Sequence, residues 1–184
     1  MTTLAETLNA ASEKSRCDYQ EEVLEWLKKF DGHLDFAVTL TMQPEKVNYV
    51  MQHGYVADKK QLATLMKKSM RHFCNRLNRV FYKSAGKRFG DTALVIPIFE
   101  GVSKDKRLHY HLAISAPERY SLQDMQEITQ REWTKTFLGG HQVDVQDYRS
   151  SGWLSYISKE AITPTRENID WDNVKVPTSI LQAL

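Results

Sequence analysis

The sequence predicts an α+β domain, a ferredoxin-like antiparallel-rich sheet with helices on one face, an open second face and an N-terminal helical extension. Two observations predict it. The apolar period switches along the chain between about 3.6 and 2 residues, giving strand, long helix, strand, strand, helix, strand and short helix in that order. At 184 residues of ordinary apolar content, the chain can build one good core but hardly two. The expected division is a helical extension over 1–33, one domain over 34–162 and a C-terminal tail over 163–184.

Residues 4–30 carry apolar side chains at helical spacing, most clearly Val23, Leu24, Trp26, Leu27 and Phe30, and the pattern stops at Asp31-Gly32. An amphipathic segment of this kind either covers the core or serves a dimer interface. From Leu34 the period becomes two: Leu34, Phe36, Val38, Leu40 and Met42 alternate with Asp35, Ala37, Thr39 and Thr41, and Pro44 ends the run. Helical spacing returns from Gln61 to Lys83, where Leu62, Leu65, Met66, Phe73, Leu77, Val80 and Phe81 form an apolar stripe that should lie on the sheet. Thr92–Glu100 and Arg107–Ser115 are β-rich and should pair as a hairpin, with Pro97 marking an edge position or a bulge. Leu122–Phe137 reads as a helix opened by Ser121 and ended at Gly139-Gly140. Gln142–Tyr148 alternates again, and Trp153–Glu160 reads as a short helix stopped near Pro164.

No apolar run approaches the roughly 20 residues that span a bilayer, and the first residues lack the charged-then-apolar order of a secretion signal. A cytoplasmic address without a membrane partner is the expectation. Cys17 and Cys74 stand far apart without zinc or disulfide spacing, which predicts reduced, structural thiols. The net charge of +2 is unevenly placed. Ten basic residues and no acidic one fall between Lys59 and Gly90, among them Lys67 and Arg71, whereas Asp170 and Asp172 sit in an acidic-leaning tail. Such a helix face either meets a phosphate backbone or is simply solvated.

In Arg107-Leu-His-Tyr-His-Leu-Ala-Ile-Ser115, strand alternation puts Leu108, Tyr110, Leu112 and Ile114 on one face and His109, His111 and Ala113 on the other. Two imidazoles side by side on a stiff scaffold suit a metal ion, although histidines on a half-exposed strand are often only solvated. Glu100 ends the preceding strand and can face them across the hairpin. Two imidazoles and a carboxylate suit Mn²⁺ or Mg²⁺ with positions open for phosphate oxygens, and zinc would bind too. Further on, Trp153-Leu-Ser-Tyr-Ile-Ser-Lys-Glu160 places Tyr156, Lys159 and Glu160 along one helical face. A tyrosine beside a lysine is either core and surface, or a nucleophile with a cation that lowers the cost of its developing charge.

Phe36-Ala-Val-Thr-Leu-Thr41, then Glu100 with His109-Tyr-His111, then Tyr156-Ile-Ser-Lys159 together resemble, in order, the three motifs of rolling-circle replication initiators. These belong to the HUH endonucleases, named for two histidines flanking a hydrophobic residue, here Tyr110. The resemblance covers about residues 34–160. It implies that Glu100, His109 and His111 hold a divalent ion and that Tyr156 attacks a DNA phosphate, leaving a 3′-hydroxyl and a 5′-phosphotyrosine, with Lys159 steadying the transition state. The implied substrate is single-stranded DNA or an origin hairpin lying over the open face. Tyr148 and Trp153 are then candidates for base stacking, Lys106 and Arg107 for phosphate contacts, and Lys67 and Arg71 for flanking duplex. No Gly-x-x-x-x-Gly-Lys-Ser/Thr loop occurs, so any helicase must be another protein supplied by the host. A single catalytic tyrosine implies that strand closure uses a second subunit, as in a homodimer, or water assisted by a carboxylate such as Glu160. Two other readings share these motifs: a single-tyrosine transposase, and an inactive nucleic-acid-binding regulator on the same fold.

Overall fold

The computed structural model of the chain describes residues 19, 21–84, 86, 88, 90–101, 108–149, 152–153, 162–163, 166–167 and 169–183. Its centre is a four-stranded sheet built from β1 (Phe36–Met42), β2 (Val95–Glu100), β3 (His109–Ile114) and β4 (Gly139–Asp147). The spatial order is β2-β3-β1-β4, and every neighbouring pair is antiparallel. The fold is therefore α+β and ferredoxin-like, as the sequence predicts: each half contributes a strand–helix–strand unit, and the two central strands come one from each half.

Helix α1 (residues 21–28) precedes β1, α2 (Pro44–Gln52) and α3 (Lys59–Tyr82) follow it, and α4 (Leu122–Thr134) lies between β3 and β4. A short turn of helix, α5 (Thr178–Leu181), closes the chain. Of the stripe foreseen on α3, Leu62, Met66, Phe73, Leu77 and Phe81 are buried and, joined by Met70, pack with Phe36, Val38, Leu40 and Met42 of β1 and with Met125 and Trp133 of α4 in one apolar core, while Leu65 and Val80 are partly buried against it. Asp58 caps α3 by accepting a hydrogen bond from the Gln61 amide, and Ser121 with Asp124 forms a capping box at α4.

Two local readings change. Pro44 ends β1 but also opens α2, because a proline at the first helical position loses no hydrogen bond the helix would otherwise make. At the other point, α4 stops at Thr134 rather than at the glycine pair, and Gly139 and Gly140 open β4 instead. The reason is close approach. A β-carbon on Gly139 would stand 1.9 Å from the Trp133 carbonyl oxygen, and one on Gly140 would stand 2.8 Å from that of Thr41.

The second face of the sheet is divided. Its far half, with Leu94, Ile96, Ile98 and Ala113, is covered by Val23, Leu27 and Phe30 of the N-terminal region together with Ile169. The apolar side of α1 thus seals a second core. The remaining half of that face carries Glu100, His109, His111, Thr39, Thr41, Asp144 and Gln146, with Trp153 lying against His111.

Pro97 lies on the edge strand β2, where its missing amide breaks no ladder pairing, and its carbonyl accepts from the Asp170 amide at 2.9 Å. Single bridges at Val95–Lys175 and Ile98–Ile169 run the C-terminal segment along this edge. Asp170 is fully buried there, and its Oδ2 accepts from the Tyr110 hydroxyl at 3.0 Å and from Asn173 Nδ2 at 2.6 Å. Burial pushes its carboxyl above the ordinary range, and the hydrogen bonds from Asn173 and Tyr110 and the charge of Lys67 work against that shift.

Candidate metal centre

The hairpin register decides the site. Glu100 stands directly opposite His109, and His111 stands two residues further along the same face of β3. Their donor atoms converge: His109 Nε2 and His111 Nε2 lie 3.1 Å apart, and Glu100 Oε2 lies 3.4 Å from the first and 4.0 Å from the second. Two donors about 2.1 Å from one ion, held 90–109° apart, stand roughly 3.0–3.4 Å from each other. Two of the three separations fall in that range, and the third leaves the carboxylate short of full closure. Among the described residues this is the one group of three or more His, Cys, Asp or Glu residues that could hold a metal ion.

Burial suits the purpose. The side chains of Glu100, His109 and His111 retain only 13, 18 and 17% of their exposure, so the ligands are stiff yet reachable from solvent. Burial, and then the neighbouring His109, hold the His111 imidazole down at about 4, so it is neutral at physiological pH with a lone pair available. Thr39, across the sheet on β1, has its hydroxyl 3.1 Å from His111 Nδ1. With the ring proton on Nδ1, donated to Thr39 Oγ1, the lone pair of Nε2 faces Glu100 and His109. A partner on the far ring nitrogen is the usual means of fixing a metal-binding histidine.

Thr39 was legible only as one of the polar residues alternating along β1; nothing local ties it to a histidine 72 positions later. Trp153 does come to the site, its ring meeting that of His111 edge to face at 6.1 Å. Tyr148 meets Trp153 edge to face in turn, at 6.2 Å. Its hydroxyl is committed, donating to Asp31 Oδ1 at 2.6 Å, and burial followed by that bond raises its pKa. Lys67 and Arg71 lie on α3, which packs on the opposite face of the sheet. Lys67 pairs there with Asp172 at 3.0 Å and approaches Asp170 at 3.9 Å, while Arg71 is exposed. Tyr156, Lys159, Lys106 and Arg107 lie outside the described residues.

Comparison of the chain with protein-family models, with curated proteins and with solved structures returns no match. No described helix is long and apolar enough to cross a membrane.

Proposed function

We propose that this protein is a metal-dependent nickase and ligase of single-stranded DNA that works through a 5′-phosphotyrosine intermediate and initiates rolling-circle replication of a plasmid, phage or other mobile element. One observation carries the reading. Glu100, His109 and His111, singled out in the sequence by the motif they resemble, bring three donor atoms within 4.8 Å of one another on one face of the sheet. The donor set of two imidazoles and one carboxylate fits Mn²⁺ or Mg²⁺, which when bound supplies Lewis-acid stabilisation of charge on phosphate oxygens.

The chain's own groups do the rest. Tyr156 attacks the phosphorus in line, the bond to the 3′-oxygen breaks, and that oxygen leaves as a 3′-hydroxyl after gaining a proton. Lys159 balances the negative charge that develops on the phenolic oxygen and the phosphate. Trp153, edge-on to His111, offers an aromatic surface beside the ligands for an unstacked base. The phosphotyrosine keeps the energy of the phosphodiester bond, so a later 3′-hydroxyl can reverse the step and seal a strand. Unwinding falls to a host helicase.

The test is an SDS-resistant protein–DNA adduct. Wild-type protein and Tyr156→Phe are incubated with a labelled, randomised pool of single-stranded and hairpin oligonucleotides, in Mn²⁺ or in chelator. An adduct that needs both the ion and Tyr156 is expected. Tight DNA binding that ignores metal and yields no adduct would replace this reading with that of a nucleic-acid-binding regulator.

A further inference from the structure

A second cluster of unabsorbed chemistry lies at the other end of the molecule. A cavity of about 930 Å³ opens where α3 ends, lined by Asn75, Arg79, Lys83, Asp91, Thr92 and Lys175 among others. Lys175 is bridged to Val95, at the opposite end of β2 from Glu100. Five residue steps at about 3.3 Å therefore set the cavity roughly 17 Å from the metal ligands along that strand.

Three cations line this cavity, and among the described residues none is in an ion pair. Lys67 and Arg76 of the same helix differ in this and Arg71 does not; what marks these three is that they line one cavity, with Asp91 the one acid beside them. Lys67 is paired with Asp172, and Arg76 with Glu132. The negative end of a helix dipole accounts for basic residues such as Arg79 and Lys83 near the end of α3. It does not account for Lys175, which arrives from the C-terminal segment to face them.

Lys83 adds a second, independent sign. It adopts φ +49° and ψ −122°, a conformation in which glycine is the unstrained residue, at the helix end where glycine is the common choice. The backbone gives no reason for a lysine at this position, and Lys83 lines the cavity.

We infer that this cavity is a phosphate-binding site, in which Arg79, Lys83 and Lys175 hold backbone phosphates of duplex DNA flanking the nicking site. The identity of the polyanion rests on the nickase reading. The cavity lies beside α3, across the sheet from the ligands and set back roughly 17 Å along β2, so it grips duplex outside the segment that meets the ligands. The opening suits a backbone that passes through, and Asn75 offers a side-chain amide beside the cations.

The experiment uses full-length protein in chelator, where no cleavage occurs, and compares wild type with Lys83→Gly/Lys175→Gln. Replacing Lys83 by glycine removes the charge while relieving the backbone, so a loss of binding from that change cannot be laid to unfolding. Fluorescence anisotropy is read from 50 to 300 mM KCl on a labelled 16-base-pair duplex with a single-stranded tail, and on the tail alone. The double variant neutralises two phosphates fewer, so the slope of log K against log [KCl] on the tailed duplex should fall by about 1.8, with binding to the tail changed less than about two-fold. An unchanged slope on the tailed duplex overturns the inference. So does calorimetry in which inorganic pyrophosphate binds wild type but not the variant while the duplex slope stays the same, since the site would then serve a free phosphate ligand. The adduct assay is independent: absence of an adduct refutes the nickase and leaves this slope to be read, and an unchanged slope leaves the adduct to be read.

Discussion

Thr39 offers the sharpest test of the metal centre, because it touches the site through one hydrogen bond. Its hydroxyl stands 3.1 Å from His111 Nδ1, on the far side of the ring from Glu100 and His109. Replacement by valine keeps the branched, strand-favouring shape and removes the acceptor. In the metal-binding tautomer, with the proton on Nδ1, that N–H is then left unpaired in a side chain that is only 17% exposed, so the ring gains by turning over or moving its proton to Nε2. Either change withdraws the lone pair from the ion. Loss of such an outer partner typically weakens metal binding by about 10–100-fold, or about 1.4–2.7 kcal/mol. Calorimetric titration of the metal-free protein with MnCl₂ reads the effect directly, and Thr39→Ser, which keeps the hydroxyl, should bind within about two-fold of wild type. A folded Thr39→Val protein with unchanged Mn²⁺ affinity would refute the positioning argument. Wild-type protein that takes up no Mn²⁺ would refute the centre itself.

Two further outcomes follow from the packing. Glu132 joins α4 to α3: burial would raise its carboxyl, but hydrogen bonds from Arg131, Arg76 and Lys135 outweigh that and hold it at about 2, below the ordinary 4.5. A depressed acid stabilises the fold above its unfolded value and ceases to do so as pH falls through the folded one. Glu132→Gln should therefore cost on the order of 2 kcal/mol in urea unfolding at pH 7, and the difference should shrink between pH 4.5 and 2. A difference independent of pH would mean the ion pairs contribute nothing. Leu27 is fully buried on the far half of the second face, so Leu27→Ala should lose about 2–5 kcal/mol. Mn²⁺ affinity in that variant should change less than two-fold, and a large loss of affinity would show that α1 shapes the site as well as sealing the core.

What the sequence could reveal follows from how far apart the cooperating residues lie along the chain. The strands and α3 were legible because their apolar period needs only a dozen neighbouring residues to be seen. Helix α2 was missed because nine residues beginning with proline give a short pattern, and Pro44 was read only as a strand terminator. The end of α4 was misplaced because a glycine pair serves equally as a helix stop and as the start of a strand squeezed against Trp133 and Thr41. Only the three-dimensional approach separates those uses.

The same rule divides the electrostatics from the metal centre. Counting charges along α3 gave an unbroken basic run, yet Lys67 and Arg76 are neutralised by Asp172 and Glu132, acids 105 and 56 residues away that no local window includes. The cations at the cavity gain their third member, Lys175, from the same distant segment that neutralises Lys67. Glu100, His109 and His111 were legible for the opposite reason. All three belong to one hairpin, where alternation fixes the face of each side chain and pairing fixes its neighbour. The residue that aims His111, Thr39, comes from a strand that reaches its partner only after the whole sheet has closed. A metal site built on one hairpin thus shows its ligands in the sequence and hides the groups that aim them.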